Sequence, residues 1–196
     1  MANGRVITGY SKPYIAKYTA NGTTVTYSEG MPLARGVSVS ISPDTSDATN
    51  FYADNQLAES VNALFTSGTA TIGVDGLKED ARELAMGIVT EVTYGQVPFS
   101  VYDDKQSIPY LGFGCVIRYM EEGVTSYVPL ILPKVAFDLD ELEATTQEDT
   151  IEFQTTELTA RIMKDDTADH AWKMIGMAQT TETLAEGAIK AFFNIQ

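Results

Sequence analysis

Tyr14-Ile-Ala-Lys-Tyr-Thr-Ala20, Asn21-Gly22, Thr23-Thr-Val-Thr-Tyr-Ser28 is two β-prone runs around an Asn-Gly pair. Asn-Gly accepts the positive φ angles of a type I′ turn, whose twist matches two antiparallel strands. The stretch therefore predicts a hairpin in which Tyr18 faces Val25 and Ala16 faces Tyr27. Other segments repeat this strand character. Val37-Ser-Val-Ser-Ile41 alternates apolar and hydroxyl side chains, and Ala70, Ile72 and Val74 alternate with Thr69, Thr71 and Gly73. Thr, Val and Ile together number 50 of 196 residues, which tilts the whole composition toward strands.

Further strands are expected at Ile88–Tyr94 and Ile108–Met120, with Glu121-Glu122-Gly123 turning the chain into a partner at Val124–Ile131. Pro129 and Pro133 place the end of that partner at a sheet edge, because proline cannot donate to a ladder. Ile151, Phe153 and Thr155 alternate and, after an offset, so do Leu158, Ala160 and Ile162. Two helices punctuate the pattern. Leu77, Ala81, Leu84 and Ala85 share a helical face that Gly87 ends. Near the C-terminus Thr183 and Glu186 fit a capping box, followed by a face of Leu184, Ala188, Ile189 and Phe192. The expectation is a mainly β, α+β fold of one domain over residues 1–196. Residues 1–13 read as a flexible arm, and polar residues 42–55 as an extended loop between strands.

The net charge of -14 and pI near 4.3 disfavour ordinary nucleic-acid binding, which needs Lys and Arg against phosphates, and attachment to anionic membranes. Seven acids and no base lie between Asp138 and Glu152. Within it, Asp138-Leu-Asp-Glu-Leu-Glu143 lacks the glycine and terminal Glu spacing of an EF-hand, so it reads as a solvated acidic loop. No run approaches the ~20 apolar residues of a membrane-spanning helix. Met1–Tyr10 lacks the apolar core of a signal peptide, so synthesis and folding in a cytoplasm are expected.

Catalytic groups are sparse. A Ser or Cys triad needs a base, and the single histidine, His170, sits in the polar run Asp165–His170, far in sequence from Cys115. Cys115 lies in apolar Gly112-Phe-Gly-Cys-Val-Ile117, which suits a buried inert thiol and is not a dinucleotide fingerprint. No enzyme, catalytic residue, cofactor or metal is expected.

Five stretches carry a resemblance. They are Phe51-Tyr-Ala-Asp-Asn55, Gly68-Thr-Ala-Thr-Ile-Gly-Val-Asp-Gly-Leu77, Pro109-Tyr-Leu-Gly-Phe-Gly114, Asp149-Thr-Ile-Glu-Phe-Gln-Thr-Thr-Glu-Leu-Thr159 and Ala191-Phe-Phe-Asn-Ile195. Their order and spacing, over roughly residues 45–195, resemble the major tail protein of long-tailed, non-contractile phages of Gram-positive hosts. Thr156 stands where that family often has proline. The resemblance implies a β-sandwich or barrel-like tail-tube fold. It also implies a virion protein, assembled in the host cytoplasm, whose rings, hexameric in that family, stack into a tube through which the genome leaves. The implied partners are other copies of the chain and the tail-tip, tape-measure and tail-terminator proteins, with DNA passing through without specific binding and no membrane partner. On this reading Asp44, Asp47, Asn50, Tyr52 and Asp54 are candidates for stacking between rings, and Glu59 and Glu91 are candidate lumen acids that repel DNA. Two alternatives use the same β character. One is a self-associating adhesin or pilus-like module, disfavoured by the missing secretion signal. The other is a carbohydrate- or ligand-binding β domain whose tyrosines form a platform.

Overall fold

In a computed structural model of the chain, residues 4–142, 146 and 154–196 are described. The main sheet is antiparallel throughout. Its path begins at β2 (Thr24–Pro32) and runs through β1 (Val6–Asn21), β9 (Leu111–Glu121) and β10 (Val124–Phe137) to β11 (Thr156–Met163). It continues to β6 (Phe65–Val74) and ends at β3 (Gly36–Thr45), while the short β12 (Met174–Ile175) pairs with β10. Two hairpins lie outside this sheet: β4 (Thr49–Ala53) with β5 (Gln56–Val61), and β7 (Thr90–Tyr94) with β8 (Val97–Val101). Helices α1 (Glu79–Met86) and α2 (Glu182–Phe192) complete the described elements. The mainly β fold with one short internal helix and one C-terminal helix is thus as expected.

The sheet curls around one apolar core. Ile15, Ile72, Phe113, Leu132, Phe137, Leu158 and Ile162 are fully buried there, and α1 adds Ala81, Ala85 and Met86. The alternations at Ala70/Ile72/Val74 and Leu158/Ala160/Ile162 all point inward. Curling brings β3 back toward β1, where Gly36 lies against the Tyr10 ring. The outer face of β1, β9 and β10 is covered by α2 and its C-cap, where Ala185, Ile189 and Phe193 bury against Tyr14, Ala16, Val116 and Ile131. Gly112 and Gly114 make this possible, since a methyl group at Gly114 would lie 2.7 Å from Ile189 Cγ2 and one at Gly112 would collide with the Phe193 ring. With both faces covered, Leu111–Ile117 is buried without interruption, and Cys115 is a solvent-free thiol whose pKa burial pushes up. Full burial of Ile189 and Phe193 contributes about 1.5–3 kcal/mol each.

Several local expectations change. The first hairpin exists, but Asn21 pairs with Thr24 and the loop is Gly22-Thr23. Gly22 alone of that pair has positive φ, the pattern of a type II′ turn, and Tyr18 faces Tyr27 while Ala20 faces Val25. The pairing moves by two positions, so every side chain keeps its face. Residues 6–13, expected in an arm, belong to β1 and pair with β9. Register shifts at Ile7/Gly9 and Ser11/Tyr14 break their alternation, which removes the period that marks a strand. Residues 42–55 are not one loop: β3 runs to Thr45, a short link follows, and β4 leads to a turn at Asp54-Asn55, both at positive φ.

The end of β10 is not an edge either, since Lys134–Phe137 pair with β11. Pro133 falls in a register shift against β9, and Pro129 accepts a hydrogen bond from the Gly176 N–H at 2.8 Å, so neither proline is asked to donate. Helix α2 starts at Glu182, with Thr181 as its cap: the Thr181 hydroxyl accepts from the Leu184 N–H at 3.3 Å. Thr183 and Glu186 therefore form no capping box, and the buried face is Ala185, Ile189 and Phe193, displaced from the expected Leu184, Ala188 and Phe192. The expected alternation at Ile151 and Phe153 and the motif start at Asp149 lie outside the described residues.

Candidate assembly surface

From Asp44 near the end of β3 to Val61 the chain carries four acids and no base, and beyond a short link it folds as the β4–β5 hairpin. The hairpin base is pinned where the Ser46 N–H donates to the Leu64 carbonyl at 2.8 Å and the Ser46 hydroxyl accepts from the Leu64 N–H at 3.1 Å. Across the strands Thr49 opposes Val61, Asn50 opposes Ser60, Phe51 opposes Glu59 and Tyr52 opposes Leu57. Period-2 geometry puts Phe51 with Val61 on one face and Tyr52 on the other, and the register shift between Phe51 and Tyr52 sets Leu57 opposite Tyr52. Every residue of both strands is exposed, Phe51 and Tyr52 at 63%. A two-stranded hairpin is marginal in water when it packs on nothing. Large apolar side chains on both of its wet faces mark a surface suited to further burial.

The expected stacking residues divide along this hairpin. Asp44 lies near the end of β3, where it accepts from the Ser67 hydroxyl at 3.2 Å. Asp47 lies in the short link, exposed. Asn50 accepts from the Ser60 hydroxyl at 2.7 Å, Tyr52 is in β4, and Asp54 opens the turn. All five are exposed and belong to this one segment. Glu59 shares the hairpin, on the face of Phe51.

Glu91 lies elsewhere, in β7 opposite Ser100, so the structure does not unite the two lumen candidates in one sheet. The β7–β8 hairpin is also largely exposed, with Tyr94 and Phe99 packed edge-to-face at 5.8 Å and Val97 beside them. Its root is fixed to α1, because the Ser100 hydroxyl lies 2.6 Å from Glu83 and 3.1 Å from Glu79 carboxylate oxygens. The strand expected at Ile88–Tyr94 is β7, whereas β8, with Val97 and Phe99, is not among the expected strands. The signal was present: Gly95-Gln96 is a two-residue turn with Gly95 at positive φ, followed by alternating Val97, Phe99 and Val101. Pro98 obscured it.

The groups weighed for catalysis stand apart from this surface. Cys115 is inside the core, and His170 is exposed with its Nδ1 3.2 Å from the Asp165 carbonyl oxygen. Asp140, from the acidic run, pairs with Arg82 at 3.2 Å and accepts from the Tyr102 hydroxyl at 3.1 Å. No protein-family model matches the chain, and no curated protein matches it.

Proposed function

We propose that this chain is the tail-tube subunit of a long, non-contractile phage tail, polymerising as stacked rings into an acidic conduit for genome ejection. The observation that carries the reading is the β4–β5 hairpin, acidic, wet on both faces and bearing Phe51, Tyr52, Leu57 and Val61 outward. The ordered resemblance over residues 45–195 supports it. So does the sheet path, which ends at β2 and β3 and leaves strand edges for neighbouring copies. A net charge of -14 suits a wall past which DNA slides without adsorbing.

Negative-stain electron microscopy of concentrated protein, with light scattering on the same sample, tests the reading. Rings or hollow tubes of uniform width are expected. Monomer that stays unassembled when mixed with tail-tip complexes would sink it. Within assembled tubes, Glu91→Lys should leave the tube intact and slow DNA ejection. Ejection at the normal rate removes Glu91 from the conduit.

A further inference from the structure

A cavity of about 560 Å³ opens between β2, the segment after β11 and the end of α2. Its volume falls in the range of small-molecule sites. Val25, Tyr27, Met174 and Phe192 give it an apolar, aromatic lining, with the Tyr27 and Phe192 ring centroids 5.1 Å apart. Asp165 also lines it and is only 6% exposed. It is the one buried charged or polar residue in the described core.

The carboxyl of Asp165 accepts from the Thr167 hydroxyl at 2.8 Å, yet no cation among the described residues forms an ion pair with it. Lys134 is engaged by the neighbouring Asp166 at 2.6 Å, and the His170 ring nitrogen addresses the Asp165 backbone oxygen. Burial raises the pKa of the Tyr27 phenol, with smaller contributions from Tyr18 and then Asp165. A carboxylate on a cavity wall with no cation partner can pair with an ammonium head whose apolar body fills the adjoining space. Tyr27 and Phe192 supply the ring faces that attract such a cation.

We propose that this cavity binds an organic ammonium group, its charge on Asp165 and its hydrocarbon body against Tyr27, Phe192 and Met174. The inference is independent of the tube assignment. Two sources carry this chemistry, a free alkyl- or arylalkylamine and a lysine side chain of a second copy.

The test is a titration of the full chain with phenethylamine and with 2-phenylethanol at pH 7, read from backbone amide shifts. Phenethylamine should shift Thr26, Thr167 and Ala171 saturably, with the neutral alcohol roughly tenfold weaker or worse. Asp165→Asn should weaken the amine by a similar factor. Met174→Lys, on the exposed strand β12, offers the cavity a tethered ammonium and keeps the test open if Asp165→Asn fails to fold; it should abolish amine binding. Equal affinity for amine and alcohol, no saturable shift up to about 10 mM, or undiminished binding in a folded Met174→Lys protein overturns the proposal. Given amine binding, zero-length carbodiimide cross-linking of concentrated protein separates the sources. An Asp165–lysine bond between copies identifies the second chain, and its absence identifies a free amine.

Discussion

Glu186 shows how single residues hold the outer helix in place. Its carboxylate accepts from the Tyr14 hydroxyl at 2.5 Å and pairs with Lys190 at 3.1 Å and Lys12 at 3.3 Å, while its side chain is 14% exposed. Ser11 donates to Glu182 one turn earlier, so two acids of α2 fasten it to β1. Burial alone would raise the Glu186 pKa, but the Tyr14 hydroxyl and the two lysines outweigh it and hold it below the ordinary 4.5. A depressed carboxyl stabilises the fold fully above its unfolded value and loses that contribution as pH falls through the folded one. Stability should therefore decline below pH 4.5 partly through this latch. Glu186→Gln should cost about 1–2 kcal/mol at pH 7, with the difference from the parent narrowing in acid. Urea denaturation at pH 7 and below pH 4 measures both. A difference that does not shrink in acid would remove the charge from the explanation.

Among elements, the contrast is between strands that the core fixes and hairpins that it does not. The first hairpin was legible because Ala16, Tyr18 and Tyr27 alternate around a turn, and only the choice between Asn21-Gly22 and Gly22-Thr23 was not. Both loops suit the sequence; the bulge near Ala16 and the packing of Tyr27 on Phe193 at 5.0 Å decide between them. Strand β4 falls inside the stretch 42–55 expected as a loop, because a strand with both faces wet has no reason to alternate. The independence of the β4–β5 hairpin from the core leads to a prediction. Replacing residues 49–61 with a short Gly-Ser linker should leave the melting temperature within a few degrees of the parent and abolish assembly. Differential scanning calorimetry and electron microscopy of one preparation check the two halves. Loss of the cooperative melt would show that the hairpin is needed for the fold itself.

At the scale of the whole molecule, charge opposes association and apolar surface favours it. Copies carrying -14 each repel over the Debye length, about 8 Å at physiological ionic strength and longer in dilute buffer. In the proposed tube, burial of the exposed Phe51, Tyr52, Leu57, Tyr94 and Phe99 between copies would not be weakened by salt. Raising NaCl from about 20 mM to about 0.5 M should therefore increase the assembled fraction at fixed protein concentration, as sedimentation velocity would show. Dissolution by salt would mean that ion pairs across the interface dominate instead.

The sequence by itself determined the β class, the inward strands at Ala70–Val74 and Leu158–Ile162, the helix stop at Gly87 and a turn within Glu121-Glu122-Gly123, which the structure narrows to Glu122-Gly123. In each, a local rule of alternation, helical spacing or positive φ agrees with the final environment. It also placed five acidic or polar candidates in what proved to be a single exposed segment. Only the tertiary structure decided that β10 is central, that α2 lies over Gly112 and Gly114, and that Glu59 and Glu91 belong to different hairpins. It alone brought Asp165 beside Tyr27 and Phe192. Those facts depend on residues far apart in the chain meeting across a curled sheet. No local period encodes such meetings, because they are fixed by complementary shape and burial rather than by spacing along the backbone.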